Sequence, residues 1–240
     1  MCENYDSVNN TCGANNSIYY TNTTNSNTMR YAILEGVSNI ETALVNMLSK
    51  DTGTTVNRYN SAIKGIIDNW YKQNIDDKNL SSYLDNDAVY CNDRTITSLG
   101  GWSKTGSTTS NYQLKFKYSS SPTKANATLA CTNVIDRFSK TNDKASLLYP
   151  VGLLSAAEKA MMQSGFARTG KFWWLSSPND FQLNSSYGKR VNASGGSDAD
   201  IVYNSYGVRP VIVLKPGIEL ELGGEGTYNN PYVVKTTVHT

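Results

Sequence analysis

The stretch that decides the fold is KFWWLSSP, residues 171–178, which contains an apolar run from Phe172 to Leu175. An aromatic and apolar run bounded by serine and proline predicts a buried strand. The following residues, 179–205, are mostly polar and lead into YGVRPVIVLK, residues 206–215. That second run is rich in β-branched residues and predicts another core strand. We therefore expect two rigid strands that present the polar stretch between them to solvent.

The strongest helical pattern lies upstream, between Thr55 and Gln73. Apolar residues recur there at intervals of three and four, which indicates a helix with one face in a core. The stripe consists of Val56, Tyr59, Ile63, Ile66, Ile67, Trp70 and Tyr71. Lys64, Asp68 and Lys72 fall elsewhere on the helical wheel.

Two shorter helices are predicted from capping signals. Ser155 and Glu158 have the spacing of a capping box, which predicts a helix that ends near Met162. Asn39 has the position of a cap for NIETALVNMLSK, residues 39–50, where apolar residues recur at helical spacing.

Short strands are predicted through most of the remaining chain. They are RYAIL (30–34), AVYCNDR (88–94), YQLKFKYS (112–119), TLACTNVIDRFS (128–139), the buried run 149–154 and PYVVK (231–235).

Trp173 and Trp174 sit inside an apolar run, so we expect them in the core and not on a sugar-stacking surface. Residues 1–28 contain too little apolar material to fold alone, and we expect a polar extension before one domain over residues 29–240.

The composition favours a protein that works outside the cytoplasm. Of 240 residues, 39% are hydrophobic and 18% charged, and 16 are tyrosines, a mixture common on recognition surfaces. The net charge of +2, with both signs scattered, argues against nucleic acid as a partner. No stretch is apolar enough to cross a bilayer and the N-terminus lacks a signal peptide, so we expect an upstream export or anchoring segment outside this chain.

The four cysteines are Cys2, Cys12, Cys91 and Cys131. The simplest pairing joins Cys2 to Cys12 and Cys91 to Cys131, although four cysteines allow three connectivities. The alternative is four unpaired buried thiols in a cytosolic protein. No pair has a C-x-x-C spacing and the lone histidine is His239, so no metal site and no cofactor is expected.

Catalytic patterns are weak. No Gly-x-Ser-x-Gly elbow is present, and the only histidine is next to the C-terminus. Asp198 and Asp200 could serve as a glycosidase pair or, with the oxygens of Asn179 and Asp180, as a weak calcium site. We expect all of these carboxylates to be solvated in loops, and the chain not to be an enzyme.

Several motifs together resemble a known family. WWLSSP, YGVRPVIVLKP, the closing G-x-G-T-x-x-N-P-Y-V-V, and the upstream IIDNWYKQNI, YCNDR, DRFS and LLYPVGLLSAAE are similar to surface proteins of Firmicutes with a C-type-lectin-like (formylglycine-generating-enzyme-like) domain. The resemblance covers about Leu34 to Lys235. It implies an α+β fold with two helices packed on small twisted antiparallel sheets, and RYAIL lying near PYVVK. The copper-binding cysteines of the oxidase members have no counterpart after Cys131.

Part of that family is diversified by retroelements that mutate adenines in a C-terminal cassette. The resemblance places residues 179–205 in the cassette position, where Gln182 and Lys189 are residue types that such mutation of Asn codons does not give. Phe181, Val191 and Val202 are expected to point inwards.

The resulting hypothesis is a surface-displayed binding protein of a bacterium, with a protein or glycan ligand on another surface. The alternative is a structural subunit of a pilus or surface layer. The predicted ligand-binding residues are Asn179, Asp180, Asn184, Ser185, Ser186, Tyr187, Arg190, Asn192, Ser194, Ser197, Asp198, Asp200, Tyr203, Asn204 and Ser205.

Overall fold

A computed structural model describes residues 62–100, 113–182, 185–202 and 204–236, together with the backbone of four short strands nearer the N-terminus. The described residues form an α+β structure with short helices and small antiparallel sheets, as the sequence predicts. The helices are α1 (Ala62–Tyr71), α2 (Ala156–Met161) and α3 (Ser164–Ala167), with a π-helical turn at Lys72–Asp76 and 3-10 turns at Ser81–Tyr83, Lys117–Ser119 and Val134–Asp136. The strands are β1 (Tyr5–Asp6), β2 (Thr11–Cys12), β3 (Ile18–Tyr20), β4 (Tyr31–Leu34), β5 (Tyr90–Cys91), β6 (Ile96–Gly100), β7 (Gln113–Phe116), β8 (Arg137–Phe138), β9 (Trp173–Gln182), β10 (Ser185–Val191) and β11 (Ser197–Ile201).

The largest sheet has five antiparallel strands in the order β11-β10-β9-β7-β6. Its register sets Trp174 opposite Arg190 and Arg190 opposite Asp198, so these three residues share one face, which we call the first face. Trp173, Val191 and Ser197 share the opposite, second face. Side chains alternate between the faces because successive residues of a strand point in opposite directions.

The first face packs against α1. Trp174, which is fully buried, belongs to one cluster with Ile63, Ile67 and Tyr71 of that helix. The predicted stripe is therefore confirmed at these three positions, whereas Ile66 is 43% exposed.

Two residues on the polar side of α1, Lys64 and Asp68, do not face open solvent. Asp68 is buried and pairs with Lys64, whose Nζ also donates to the carbonyl oxygens of Tyr149 at 3.4 Å and Val151 at 3.3 Å. Lys64 thus bonds to the segment 149–151, which is distant in the sequence. A helical wheel could not predict this contact because a wheel shows only how residues are arranged within one helix.

The second face packs against α2. Ser155 Oγ accepts from the Glu158 N–H and the Glu158 carboxylate accepts from the Ser155 N–H, so the predicted capping box is present and the helix ends at Met161. Ser177 Oγ in β9 accepts from the Ala156 N–H at 2.9 Å, which ties the start of α2 to the sheet. Trp173, Leu175 and Val191 complete this second cluster, so both tryptophans lie in the core as predicted.

Two predicted strands are extended segments instead. Residues 206–215 make only isolated bridges, through Gly207 to Trp173, Val211 to Gly152 and Leu214 to Leu84. The run 149–154 is buried at Val151 and Leu153 but contributes only the Gly152 bridge. Apolar β-branched runs predict extended backbone, but whether a continuous ladder forms depends on a partner strand that the local sequence does not specify.

The C-terminal residues fold back as a hairpin, in which Glu221 donates to Val233 and Lys235 donates to Glu219. Gly224 and Gly226 lie against Tyr232, so a Cβ at either glycine would collide with it, which explains the Gly-x-Gly spacing. The predicted neighbours RYAIL and PYVVK pair elsewhere, because β4 pairs with β3 and Val234 bridges Leu220. The helix predicted over residues 39–50 and the start of the helix predicted from Thr55 lie outside the described residues.

Candidate functional site

The polar stretch 179–205 is built into the sheet. It forms the end of β9, all of β10 and all of β11, with a tight turn at residues 192–196. The polar stretch that we expected between two strands thus itself forms strands, which pair as two successive hairpins. Ser176, Ser177 and Pro178 lie inside β9 and not after it. Sequence patterning missed this because the strands are polar and their alternation is interrupted by a register shift near Gly188.

Two predicted ligand-binding residues are interior residues. Asn179 is 9% and Asp180 5% exposed, so they do not belong to an exposed contact face. Asp180 pairs with Lys115 of β7 on one side and with Tyr187 of β10 on the other, and Asn179 lies at the register shift beside it. Val191 and Val202 are buried as predicted, and the side chain of Phe181 lies outside the described residues.

Arg190 is the centre of an ion network on the first face. Its Nη2 lies 2.8 Å from Asp198 Oδ2 and its Nη1 lies 2.5 Å from Asp200 Oδ2. The guanidinium carbon lies 4.5 Å from the ring centre of Phe172 and 4.6 Å from that of Tyr206, so the cation is held by two aromatic rings. The Tyr206 hydroxyl donates to Asp200 Oδ2 at 2.5 Å. Asp198 and Asp200 are therefore paired strand residues, in contrast to the solvated loop acids that the sequence predicted.

This network shifts the titration of its acids. Burial alone raises the pKa of Asp198, but the hydrogen bonds from Arg190 and from the Ala199 N–H outweigh it, and the net pKa lies below the ordinary value. For Asp200 burial likewise raises the pKa, while the Tyr206 hydroxyl, the Ile201 N–H and Arg190 bring it below the ordinary value. Both carboxylates are thus stabilised as anions in the folded state.

Replacing Arg190 with glutamine should destabilise the domain in a pH-dependent way. An acid whose folded pKa is lowered contributes stability above its unfolded pKa of about 4, and this contribution is lost as pH falls through the folded value. Urea unfolding of wild type and Arg190→Gln should differ most at neutral pH, and the difference should shrink as pH falls through the lowered pKa of the two acids. Only the lost packing of the Arg190 side chain against the rings of Phe172 and Tyr206 should then remain. Lys235→Gln removes an exposed ion pair with Glu219 and serves as the control. A difference that is equal at all pH values would contradict the assignment.

The surface residues of the predicted set separate into two groups. Asn192, Ser194 and Ser197 lie at or beside the 192–196 turn, where Asn192 Oδ1 accepts from the N–H groups of Ser194 and Gly196. Tyr187, Asn204 and Ser205 lie towards the other end of the hairpin. A seven-residue strand such as β10 spans roughly 20 Å, so one small ligand cannot contact both groups. Asn184, Tyr203 and the side chains of Ser185 and Ser186 lie outside the described residues.

A half-buried row on the second face connects these groups. Tyr187 pairs with Ile201, and alternate residues place Ser197, Ala199 and Ile201 on the same side of the edge strand. All four side chains are partly exposed, unlike their neighbours Lys189 and Val191 on β10. We call Tyr187, Ser197, Ala199 and Ile201 the outer row. Ala199 and Ile201 were missing from the sequence-based set, although the period-two pattern S-D-A-D-I could have indicated them.

Lys189 is a further residue that the sequence did not single out as interior. It is 3% exposed, and its Nζ lies 3.1 Å from Ser121 Oγ and 3.5 Å from the Ser119 carbonyl oxygen. Burial lowers the pKa of Lys189, against the opposing effect of Asp198 and Asp180. This contact attaches the segment after β7 to the middle of the hairpin.

A disulfide lies next to a buried ion pair, and the carbonyl oxygen of its Cys91 accepts from Ser176 Oγ of β9 at 3.4 Å. Cys91 is bonded to Cys131, which confirms that predicted pair. The Cys2–Cys12 pairing lies outside the described side chains. Asp136 accepts from both the backbone N–H and the guanidinium of Arg94, and β5 pairs with β8 beside them. The motifs YCNDR and DRFS are thus in contact with each other.

In the described ranges, no three acidic, cysteine or histidine side chains are grouped as metal ligands. None of the helices in the described parts of the chain combines the length and apolar character that crossing a bilayer needs. Comparison with family models, curated proteins and solved structures gave no match to the chain.

Proposed function

We propose that this chain is a non-catalytic recognition domain, displayed outside the cytoplasm of a bacterium, with a C-type-lectin-like fold. The observation that carries the proposal is the arrangement of the β10–β11 hairpin. Trp174 and the Arg190 network hold the hairpin on the first face, while the outer row on the second face remains partly exposed to solvent. The family resemblance supports the finer fold, and the disulfide is consistent with an oxidising compartment.

The outer row has the chemistry of an adaptable contact surface. Tyr187 offers a large flat ring with a polar tip, and Ser197 with the nearby Asn204 and Ser205 offers short hydrogen-bonding groups. Because the hairpin is held by a covered sheet, little ordering entropy would be lost on contact. A protein or glycan on another surface is the ligand class that this proposal assigns, without a cofactor.

Retroelement diversification remains part of the proposal. The contacts of the hairpin indicate which positions would tolerate substitution. Arg190, Asp198 and Asp200 hold the hairpin, and Asn179 and Asp180 are buried, so substitution there would damage the scaffold. In related strains, substitutions at adenine positions should therefore be concentrated at Tyr187, Ser197 and Ser205, beside a near-copy template. Uniform drift over all surface loops would contradict diversification.

One observation favours the alternative, a structural subunit of a pilus or surface layer. The C-terminal hairpin exposes apolar side chains, with Leu222 fully exposed and Tyr232 59% exposed. In an assembled subunit such side chains would be covered by a neighbour.

Binding to arrayed bacterial surface glycans and to whole bacterial cells tests the proposal. Tyr187→Ala should weaken binding roughly tenfold to a few hundredfold, the range for loss of an aromatic anchor. Lys124→Ala, an exposed residue in a turn outside the hairpin, is the matched control. Unchanged binding in Tyr187→Ala, together with loss in Leu222→Ser, would contradict the proposal and favour the structural subunit.

A further inference from the structure

β11 is the last strand on its side of the five-stranded sheet. Among the described residues, no strand pairs with its outer edge. An edge strand presents backbone N–H and C=O groups to which another strand can bond, and proteins need a means of preventing this. Ser197, Ala199 and Ile201 carry no charge, and Ile201 is β-branched, so these three residues do not themselves protect the edge from pairing.

Each of the two aspartates in β11 covers one backbone donor. Asp198 Oδ1 accepts from the Ala199 N–H at 2.8 Å, and Asp200 Oδ1 accepts from the Ile201 N–H at 2.8 Å. Residues two apart in a strand direct their N–H groups to the same side. The Ala199 and Ile201 N–H groups donate to carboxylates and therefore not to carbonyl groups of β10. These two donors thus lie on the edge of β11 that faces away from β10.

The second oxygen of each carboxylate is bound to Arg190. Asp198 Oδ2 lies 2.8 Å and Asp200 Oδ2 lies 2.5 Å from its guanidinium nitrogens. Arg190 is itself fixed between the rings of Phe172 and Tyr206. The carboxylates therefore cannot swing away from the edge without breaking charged hydrogen bonds, which are roughly twice as strong as neutral ones.

We infer that Asp198 and Asp200, locked by Arg190, form an edge cap that prevents a second copy of this chain from adding its own β11 to the sheet. An antiparallel β11–β11 pair across a two-fold axis would have to displace both carboxylates from the Ala199 and Ile201 N–H groups of each copy. It would also bring four carboxylates together, and like charges across neighbouring strands are destabilising. If the outer row is the contact surface proposed above, the cap leaves the hairpin free for that contact because it prevents β11–β11 dimers.

Light scattering of the purified chain tests the cap. The double variant Asp198→Thr/Asp200→Thr should show, with rising concentration, twice the mass that the wild-type chain shows. The reason is that both backbone donors are released on a strand of high β-propensity. Adding Ala199→Pro to that variant removes one donor and should restore the wild-type mass. Glu219→Thr/Glu221→Thr removes the same charge from the C-terminal hairpin and should leave the mass unchanged. An unchanged mass in the folded double variant, or a doubling that persists with Ala199→Pro, would overturn the inference.

Amide hydrogen exchange provides a second test that does not depend on the folding of that double variant. In the wild-type chain the Ala199 and Ile201 amides should exchange more slowly than an unbonded edge amide, and Arg190→Gln should accelerate both. If these amides exchange in the wild type as fast as free amides, the inference is wrong. This outcome is independent of the binding test with Tyr187→Ala, so the two proposals can fail separately.

Discussion

Replacing Arg94 with leucine is expected to lower the free energy of unfolding by about 3–5 kcal/mol, the range for breaking a buried ion pair from one side. Arg94 and Asp136 are 5% and 1% exposed, so the remaining carboxylate would lose its partner in the interior. A loss of this size is a large fraction of the stability of a typical domain. Urea unfolding at neutral pH measures it.

The pH dependence of that loss identifies its cause. Burial raises the pKa of Asp136, and the contact with Arg94 opposes this rise. Removing Arg94 should raise the pKa further, so the carboxyl becomes protonated more easily in the folded variant. The penalty should then shrink as pH falls through the raised pKa towards the unfolded value of about 4.

The double variant Arg94→Leu/Asp136→Leu is the matched control. Replacing both partners of a buried pair with apolar residues is often neutral or better, so it should recover much of the lost stability. A double variant as unstable as Arg94→Leu would show that lost packing, and not the unpaired charge, causes the effect. The pair joins YCNDR to DRFS, so the experiment also tests whether those motifs have a structural role.

The features that the sequence predicted are those in which local residues decide the result. The capping box at Ser155 needs only four residues, and the core positions Ile63, Ile67 and Tyr71 follow from helical spacing. Trp174 is buried, as expected for a residue in an apolar run, because removing apolar surface from water is favourable. The α+β class was implied by the family resemblance and agrees with these local predictions of helices and strands.

The features that the sequence could not predict depend on residues distant in the chain. Lys64 pairs with the buried Asp68 and also donates to the carbonyl oxygens of residues 149 and 151, which are distant in the sequence. Likewise, the guanidinium of Arg190 lies against the rings of Phe172 and Tyr206. A polar composition predicted an open contact surface at Asn179 and Asp180, but both residues are buried in β9, the strand between β7 and β10. Composition gives the average polarity of a segment and does not show which face of a sheet each residue takes.

Removing the Cys91–Cys131 bond is expected to cost about 4 kcal/mol. The bond spans a sequence separation of 40 residues, and loop-closure entropy for a loop of that length gives roughly this value. The loop contains β6, β7 and the segment whose Ser119 and Ser121 contact Lys189 in the hairpin. A looser loop in the unfolded chain therefore reduces the stability of the sheet that supports the outer row.

Urea unfolding of Cys91→Ser/Cys131→Ser, with and without reductant, measures this contribution. The variant should be less stable than oxidised wild type by the amount above, and reduced wild type should approach the variant. Any further effect of reductant on the variant would report a bond between Cys2 and Cys12. A loss below about 1 kcal/mol, less than a typical native disulfide contributes, would contradict the expectation.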